Sequence, residues 1–259
     1  MRLELKIKKY GCAFEARPVS NGMKERTAEI LKTGIQYFIK TGFPITSERL
    51  YEEYNFGIKP AMIRCELNAL DDEGYLEQNH PSGGRWPTHK GYKFFVDNLL
   101  SMEEKNSNSL DRSFGHLVDD LLRGDKRSFV KQISDSTNML SVGYEPDHDE
   151  FYNSGLHDLF SRLEMNVKKD FLKVVEDFEL ITKRLEEDRE WWEGSSTTWP
   201  QVFIGHSPVT KSKHISVIAE RLNLPQGDFL LFLVGPNRMD YERSIHMIRF
   251  LQRSIDDKC

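Results

Sequence analysis

Cysteine is the first scarcity. The 259 residues hold three, Cys12, Cys65 and Cys259, far apart and odd in number. That pattern excludes a disulfide framework and a Cys-x-x-Cys zinc site, and it fits a reducing compartment. Long apolar runs are missing too: none approaches the roughly 18 to 20 residues that a membrane-spanning helix needs. The N-terminal stretch MRLELKIKKYGCAFEARPVSNG has no continuous apolar segment of the signal-peptide kind. The expectation is a cytoplasmic protein with no membrane partner. Chemistry-bearing patterns are equally thin. The eight histidines do not fall at metal-ligand spacing, and His206 and His214 stand as an isolated pair near an expected strand end. DHDEF, residues 147–151, lacks the spacing and glycine of a calcium loop. GPNRMDY lacks the glycine-rich run and lysine of a P-loop. Cys65 lies within an expected helix with no paired base in view. These absences argue against an enzyme, and for no metal and no cofactor.

What is present is a chain of adequate core content, 38% hydrophobic, with a net charge of −5. The charge is uneven. Residues 101–200 carry 13 Lys and Arg against 22 Asp and Glu, whereas residues 1–22 carry 5 against 2. An acidic middle does not preclude a locally basic nucleic-acid surface, because screening over about 8 to 10 Å makes local charge decisive.

Apolar spacing divides the chain. Residues 1–22 form an N-terminal extension, a strand or a basic arm, in which Leu3, Leu5 and Ile7 alternate. Residues 23–41 read as an amphipathic helix stopped by Gly42, and a second helix capped at Thr46 or Ser47 ends at Gly57. A third begins at Pro60 and runs Ile63, Leu67 and Leu70 along one face to Gly74. GYLEQ then reads as a strand, HPSGGRWPTH as a loop, and KGYKFFVDNLLSM as a returning strand or the opening of a helix. Three helices and a hairpin-like flap, over 23–100, have the order of a winged helix-turn-helix. Polar residues 101–113 form a linker. In 114–259 a long amphipathic helix is expected over NVKKDFLKVVEDFELITKRLEEDREWW. QVFIG and DFLLFLVG read as strands, and SKHISVIAERLNLP as a strand with a helical continuation or a short helix. The fold class is α+β.

The third helix and the flap form the candidate nucleic-acid contact. Lys59, Pro60, Met62, Ile63, Arg64 and Asn68 lie on or beside its leading turns; Arg64 suits a bidentate bond to guanine and Asn68 suits adenine. Ser47 and His80 flank them. In the flap, Gly83 and Gly84 permit close backbone approach to phosphate, Arg85 and Lys90 supply charge, and Ser82 and Thr88 supply neutral donors. Trp86 reads as a packing residue, and Tyr92 with Phe94 or Phe95 as the flap's anchor.

The same residues carry a resemblance. Pro60, Ala61, Ile63, Arg64 and Glu66, then Gly74, Tyr75 and Leu76, then His80, Ser82, Gly84, Arg85, Pro87 and Thr88, with Gly91 and Tyr92, stand in the order seen in HrcA-type heat-inducible transcription repressors. EFYNSGLHDLF and FLVGPNRMDYERSIHMIRFLQRSI are similar to that family's central and C-terminal segments, so the likeness spans most of 24–256. It implies a winged-helix domain joined to a GAF-like domain. It also implies a homodimer on an inverted-repeat operator in double-stranded DNA upstream of chaperone genes, released on heat stress, with chaperonin as co-repressor. Lys59, Met62 and Cys65 replace the family's serine, threonine and asparagine on or near the reading face; Pro81, Gly83 and Trp86 depart in the wing. The shorter stretch before the last strands implies a reduced dimerisation insert. Two other readings stand beside this one: a winged-helix regulator sensing a small ligand through its C-terminal domain, and a protein-interaction module using the acidic middle.

Overall fold

The computed structural model describes residues 22–80, 83–101, 114, 117–163, 168–194 and 199–258, with backbone only at 168–170. The chain divides into two compact units, Ala16–Met102 and a larger one containing Glu103–Cys259. Together the elements make an α+β protein.

The smaller unit opens with α1, Glu25–Thr41, whose Ile30, Leu31, Ile35 and Tyr37 are buried. Gly42 stops it at φ 73, its N–H donating to Phe38 O. Thr46 caps α2, Ser47–Glu53, by accepting from Arg49 N at 3.2 Å. Pro60 starts α3, Pro60–Asp72, which buries Ile63, Leu67 and Leu70 against α1 and α2. A short antiparallel ribbon follows: β1, Leu76–Glu77, pairs with β2, Trp86–Pro87. KGYKFFVDNLLSM is helix, not strand: α4 is His89–Ser101. Thr88 decides this. Its hydroxyl accepts from Gly91 N at 3.1 Å, three residues on, which is the N-cap bond. Helical spacing then brings Tyr92, Phe95 and Val96 inward.

In the larger unit a helical segment, residues 117–122, turns at Gly124 into α5, Lys126–Thr137, capped by Asp125 accepting from Ser128 N. The hairpin of β3, Leu140–Glu145, and β4, Glu150–Ser154, leads to α6, Leu156–Arg162. The single long helix expected next is three: α7, Lys168–Glu179; α8, Ile181–Glu187; α9, Arg189–Glu193. The breaks at Leu180 and Asp188 re-aim successive turns, so that Val174, Ile181, Leu185 and Trp192 all join one core. Strands β5, Gln201–Ile204, β6, Ile215–Leu224, and β7, Gly227–Pro236, precede α10, Tyr241–Asp256. β6 is strand throughout its ten residues; no helix continues it. Full pairing with β7, from Ile215↔Pro236 to Leu224↔Gly227, overrides the helical reading of AERLNL.

The five strands form one antiparallel sheet in the order β4-β3-β7-β6-β5. Val142, Tyr144, Val217, Ala219, Leu230 and Phe232 line one face, with Ile181, Leu185 and Trp192 packed on them. Alternate residues face the other way. There Phe129 of α5 meets Phe229 edge-on at 5.9 Å, and Tyr241 of α10 donates to Ser216 Oγ.

Candidate functional site

The exposed side of α3 is built by default: what the helix does not bury, it presents. With Ile63, Leu67 and Leu70 inward, Ala61, Met62, Arg64, Cys65, Asn68, Ala69 and Asp72 are exposed. Ile63, counted among the candidates for DNA contact, is fully buried and is a core residue. Pro60 fills the first helical position and is half-buried, and Lys59 just before it is exposed. On the flank, Glu66 accepts from Thr27 Oγ1 at 2.7 Å and from Arg26 at 3.0 Å, and these bonds hold its carboxyl below the ordinary range.

Arg64 leans toward α2. Its guanidinium pairs with Glu48 and donates from Nε to Ser47 Oγ at 3.4 Å, while its side chain stays 60% exposed. Ser47 itself is buried, so it orients Arg64 rather than meeting solvent. A backbone amide bond at the start of α2, then Arg64, lower the Glu48 carboxyl's pKa.

The flap differs most from expectation. Arg85, expected to meet phosphate, is only 7% exposed. Its Nη2 donates to Asn68 Oδ1 and, at 3.5 Å, to Gln78 Oε1; its Nε lies 3.8 Å from Asp71. Its backbone bridges to Ile45 in both directions, Ile45 N to Arg85 O at 2.8 Å and Arg85 N to Ile45 O at 2.9 Å. Gly84 is a packing glycine: a Cβ there would sit 2.5 Å from Pro44 Cβ and 3.0 Å from Ile45 O. Thr88 Oγ1 donates to Gly74 O at 2.7 Å besides capping α4. Lys90 Nζ donates to Glu73 O at 2.7 Å and lies 3.9 Å from the Tyr75 ring centroid. Arg85 is thus turned into the protein toward the polar side of α3, while Thr88 and the exposed Lys90 donate to the carbonyls of Gly74 and Glu73 at the end of α3. His80 is exposed, with its carbonyl accepting from Gly83 N at 2.8 Å; Gly83 O in turn accepts from Gln78 Nε2 at 2.6 Å. Ser82 lies outside the described residues, as do residues 1–21.

The described candidates all lie in the smaller unit, but Ile63, Ser47 and Arg85 are buried in it, and sequence spacing missed two things. Gln78, the clamp on Gly83, carried no motif signal. The Asn68–Arg85 pairing spans 17 residues and shows in no periodicity.

A family model described as HrcA protein C terminal domain matches residues 100–245. A heat-inducible transcription repressor HrcA of Streptomyces avermitilis is 42% identical over 81 residues, 31% of this chain and 24% of that protein. One from Mycoplasma mycoides subsp. mycoides is 39% identical over 97 residues, 38% of this chain and 28% of its own. One from Clostridium perfringens is 33% identical over 135 residues, 50% of this chain and 40% of its own. The match therefore spans about a quarter to two fifths of the length of these curated relatives. Among solved structures, one titled as a hypothetical protein at 2.2 Å resolution shares the fold at TM-score 0.71 and 14% identity, covering 91% of this chain and 98% of that one.

Proposed function

Because the chain belongs to the HrcA family, we propose that it is a DNA-binding transcriptional repressor of heat-shock chaperone genes, acting as a homodimer on an inverted repeat and released on heat stress. In this reading residues 23–100 are a winged helix-turn-helix, 101–113 a linker, and 114–259 a GAF-like domain for regulation and dimerisation, with 1–22 an extension. The observation that carries it is α3: a proline-started helix anchored by Ile63, Leu67 and Leu70, with its whole outer side open. Two such helices, one from each protomer, enter successive major grooves about 34 Å apart. Arg64 is poised for this. Its pairing with Glu48 is exposed, of a kind worth only about 0 to 1 kcal/mol, and is readily exchanged for a base or phosphate.

The test is a salt-titrated binding assay on an inverted-repeat duplex from upstream of a chaperone operon, against a scrambled duplex, with and without chaperonin. Preference of about a thousandfold or more is expected, with tighter binding when chaperonin is added. Equal affinity for the two duplexes at every salt concentration overturns the reading.

A ligand-sensing version draws on one feature of the larger unit, a cavity of about 400 Å³ beside α8, lined by Lys183, Arg184 and Lys211 and by the carboxylates Glu187 and Asp188. Stabilisation by a small anion such as inorganic phosphate, together with altered duplex affinity, would favour it.

A further inference from the structure

We propose that Arg85 is a positioning residue for base recognition: it fixes the Asn68 amide so that Asn68 offers the major groove a donor and not an acceptor. This rests on the DNA-binding reading above and sharpens it to the kind of base edge that α3 reads. A guanidinium has five N–H donors and no acceptor, so the Asn68 atom that meets it is Oδ1, whichever way the amide is first imagined. Arg85 cannot swing away cheaply. It is nearly buried, its backbone is pinned to Ile45 through both N–H and carbonyl, Gln78 Oε1 lies 3.5 Å from the same Nη2 that meets Asn68, and the Asp71 carboxylate lies 3.8 Å from Nε. Asn68, by contrast, is exposed on the outer side of α3.

With Oδ1 held by a cation, the outward edge of Asn68 is its Nδ2 with two hydrogens. Adenine recognition by Asn needs both atoms at once, Oδ1 accepting from N6–H and Nδ2 donating to N7. The guanidinium draws electron density from Oδ1 and sets a positive charge beside the place the N6 amino group would take. Guanine O6 or N7, or thymine O4, accepts from Nδ2 with no such conflict. Arg85 thus acts on specificity through Asn68 while touching neither base nor phosphate.

The experiment is site selection by the full chain from a pool of inverted-repeat duplexes with randomised half-sites, with melting temperatures measured in parallel. Four proteins are compared: the unaltered chain, Asn68→Asp, Arg85→Lys and Arg85→Met. The unaltered chain is expected to favour G or T at one position of each half-site, roughly three- to tenfold, the worth of one hydrogen bond. Asn68→Asp keeps a partner for Arg85 but turns the outward edge into an acceptor, so the preference at that position moves to C, whose N4 donates. Arg85→Lys retains a donor to Oδ1 and keeps the preference. Arg85→Met releases the amide and admits A at the same position. A merely structural Arg85 would change melting temperature without changing the base chosen. If Arg85→Met does not fold, Arg85→Gln, whose amide can offer Asn68 either a donor or an acceptor and so also releases the amide to flip, takes its place. Either of these two variants overturns the proposal if it folds yet keeps the base preference. The proposal is overturned if the unaltered chain favours A at the position that Asn68→Asp alters, or if Asn68→Asp alters no position. Enrichment of no sequence by the unaltered chain would instead bring down the DNA-binding reading itself.

Discussion

Glu220 is a residue whose carboxyl departs far from its solution behaviour. It sits fully buried in β6, with Oε1 accepting from Arg221 N at 3.0 Å and Oε2 without a partner among the described residues. Burial first, with some contribution from Asp256, pushes its pKa up to about 8. The folded chain therefore holds a proton that the unfolded chain releases near pH 4.5. Stability from this group is present at low pH and is lost as pH rises between those two values, at about 1.4 kcal/mol per pH unit, levelling off above pH 8. Urea unfolding from pH 6 to 9 should show that decline, and Glu220→Gln should flatten it. An unchanged slope in the variant would mean that the carboxyl is not the proton carrier. Arg64 makes a second residue-scale case. Removing its competitor with Glu48→Gln should tighten binding to duplex, whereas Arg64→Ala should cost about 1 to 3 kcal/mol on the inverted repeat and much less on scrambled DNA if it reads a base.

At the scale of elements, the ribbon and its neighbours depend on a few local devices. Thr88 ends the ribbon, caps α4 and holds Gly74 O, so Thr88→Ala should destabilise the chain by about 1 to 2 kcal/mol in chemical denaturation. Gly84→Ala should cost about 1 to 3 kcal/mol, since the added methyl runs into Pro44 and the Ile45 carbonyl, neither of which can yield without moving the α1–α2 connection. Elements were legible where local signals agreed: Gly42, Pro60 and Gly74 punctuate helices whose apolar stripes are regular. They were not legible where partners far along the chain decide. The register of β6 against β7 made a strand of a stretch with mixed periodicity. The joints at Leu180 and Asp188 follow from fitting α7, α8 and α9 onto one sheet face, where buried Asp177 also accepts from Lys211 N, Ser212 N and Arg184.

Across the whole molecule, the proposed DNA binding by a chain of net charge −5 requires a few well-placed cations. Lys59 and Arg64 are exposed on or beside α3, whereas Arg85 is buried against Asn68 and the exposed Lys90 is bonded to Glu73 O. Lys59→Ala should accordingly lower the slope of log affinity against log salt by about 0.9 for each phosphate it no longer neutralises, and Arg85→Met should leave the slope unchanged. Equal slope changes in the two variants would show that the flap's arginine reaches phosphate after all.

By itself the sequence determined the α+β class, the three leading helices, the strand-length runs after residue 200 and the ordered motif from Pro60 to Tyr92, because propensity, capping and apolar spacing are carried by near neighbours. Only the tertiary structure decided what the polar side chains do. Whether Arg85 faces phosphate or Asn68, and whether Lys90 faces solvent or Glu73 O, depends on which unsatisfied carbonyl or amide the fold brings within about 3 Å. At Arg85 burial adds to this, since a buried guanidinium held without partners is too costly, whereas the exposed Lys90 bonds to Glu73 O because the carbonyl lies within reach.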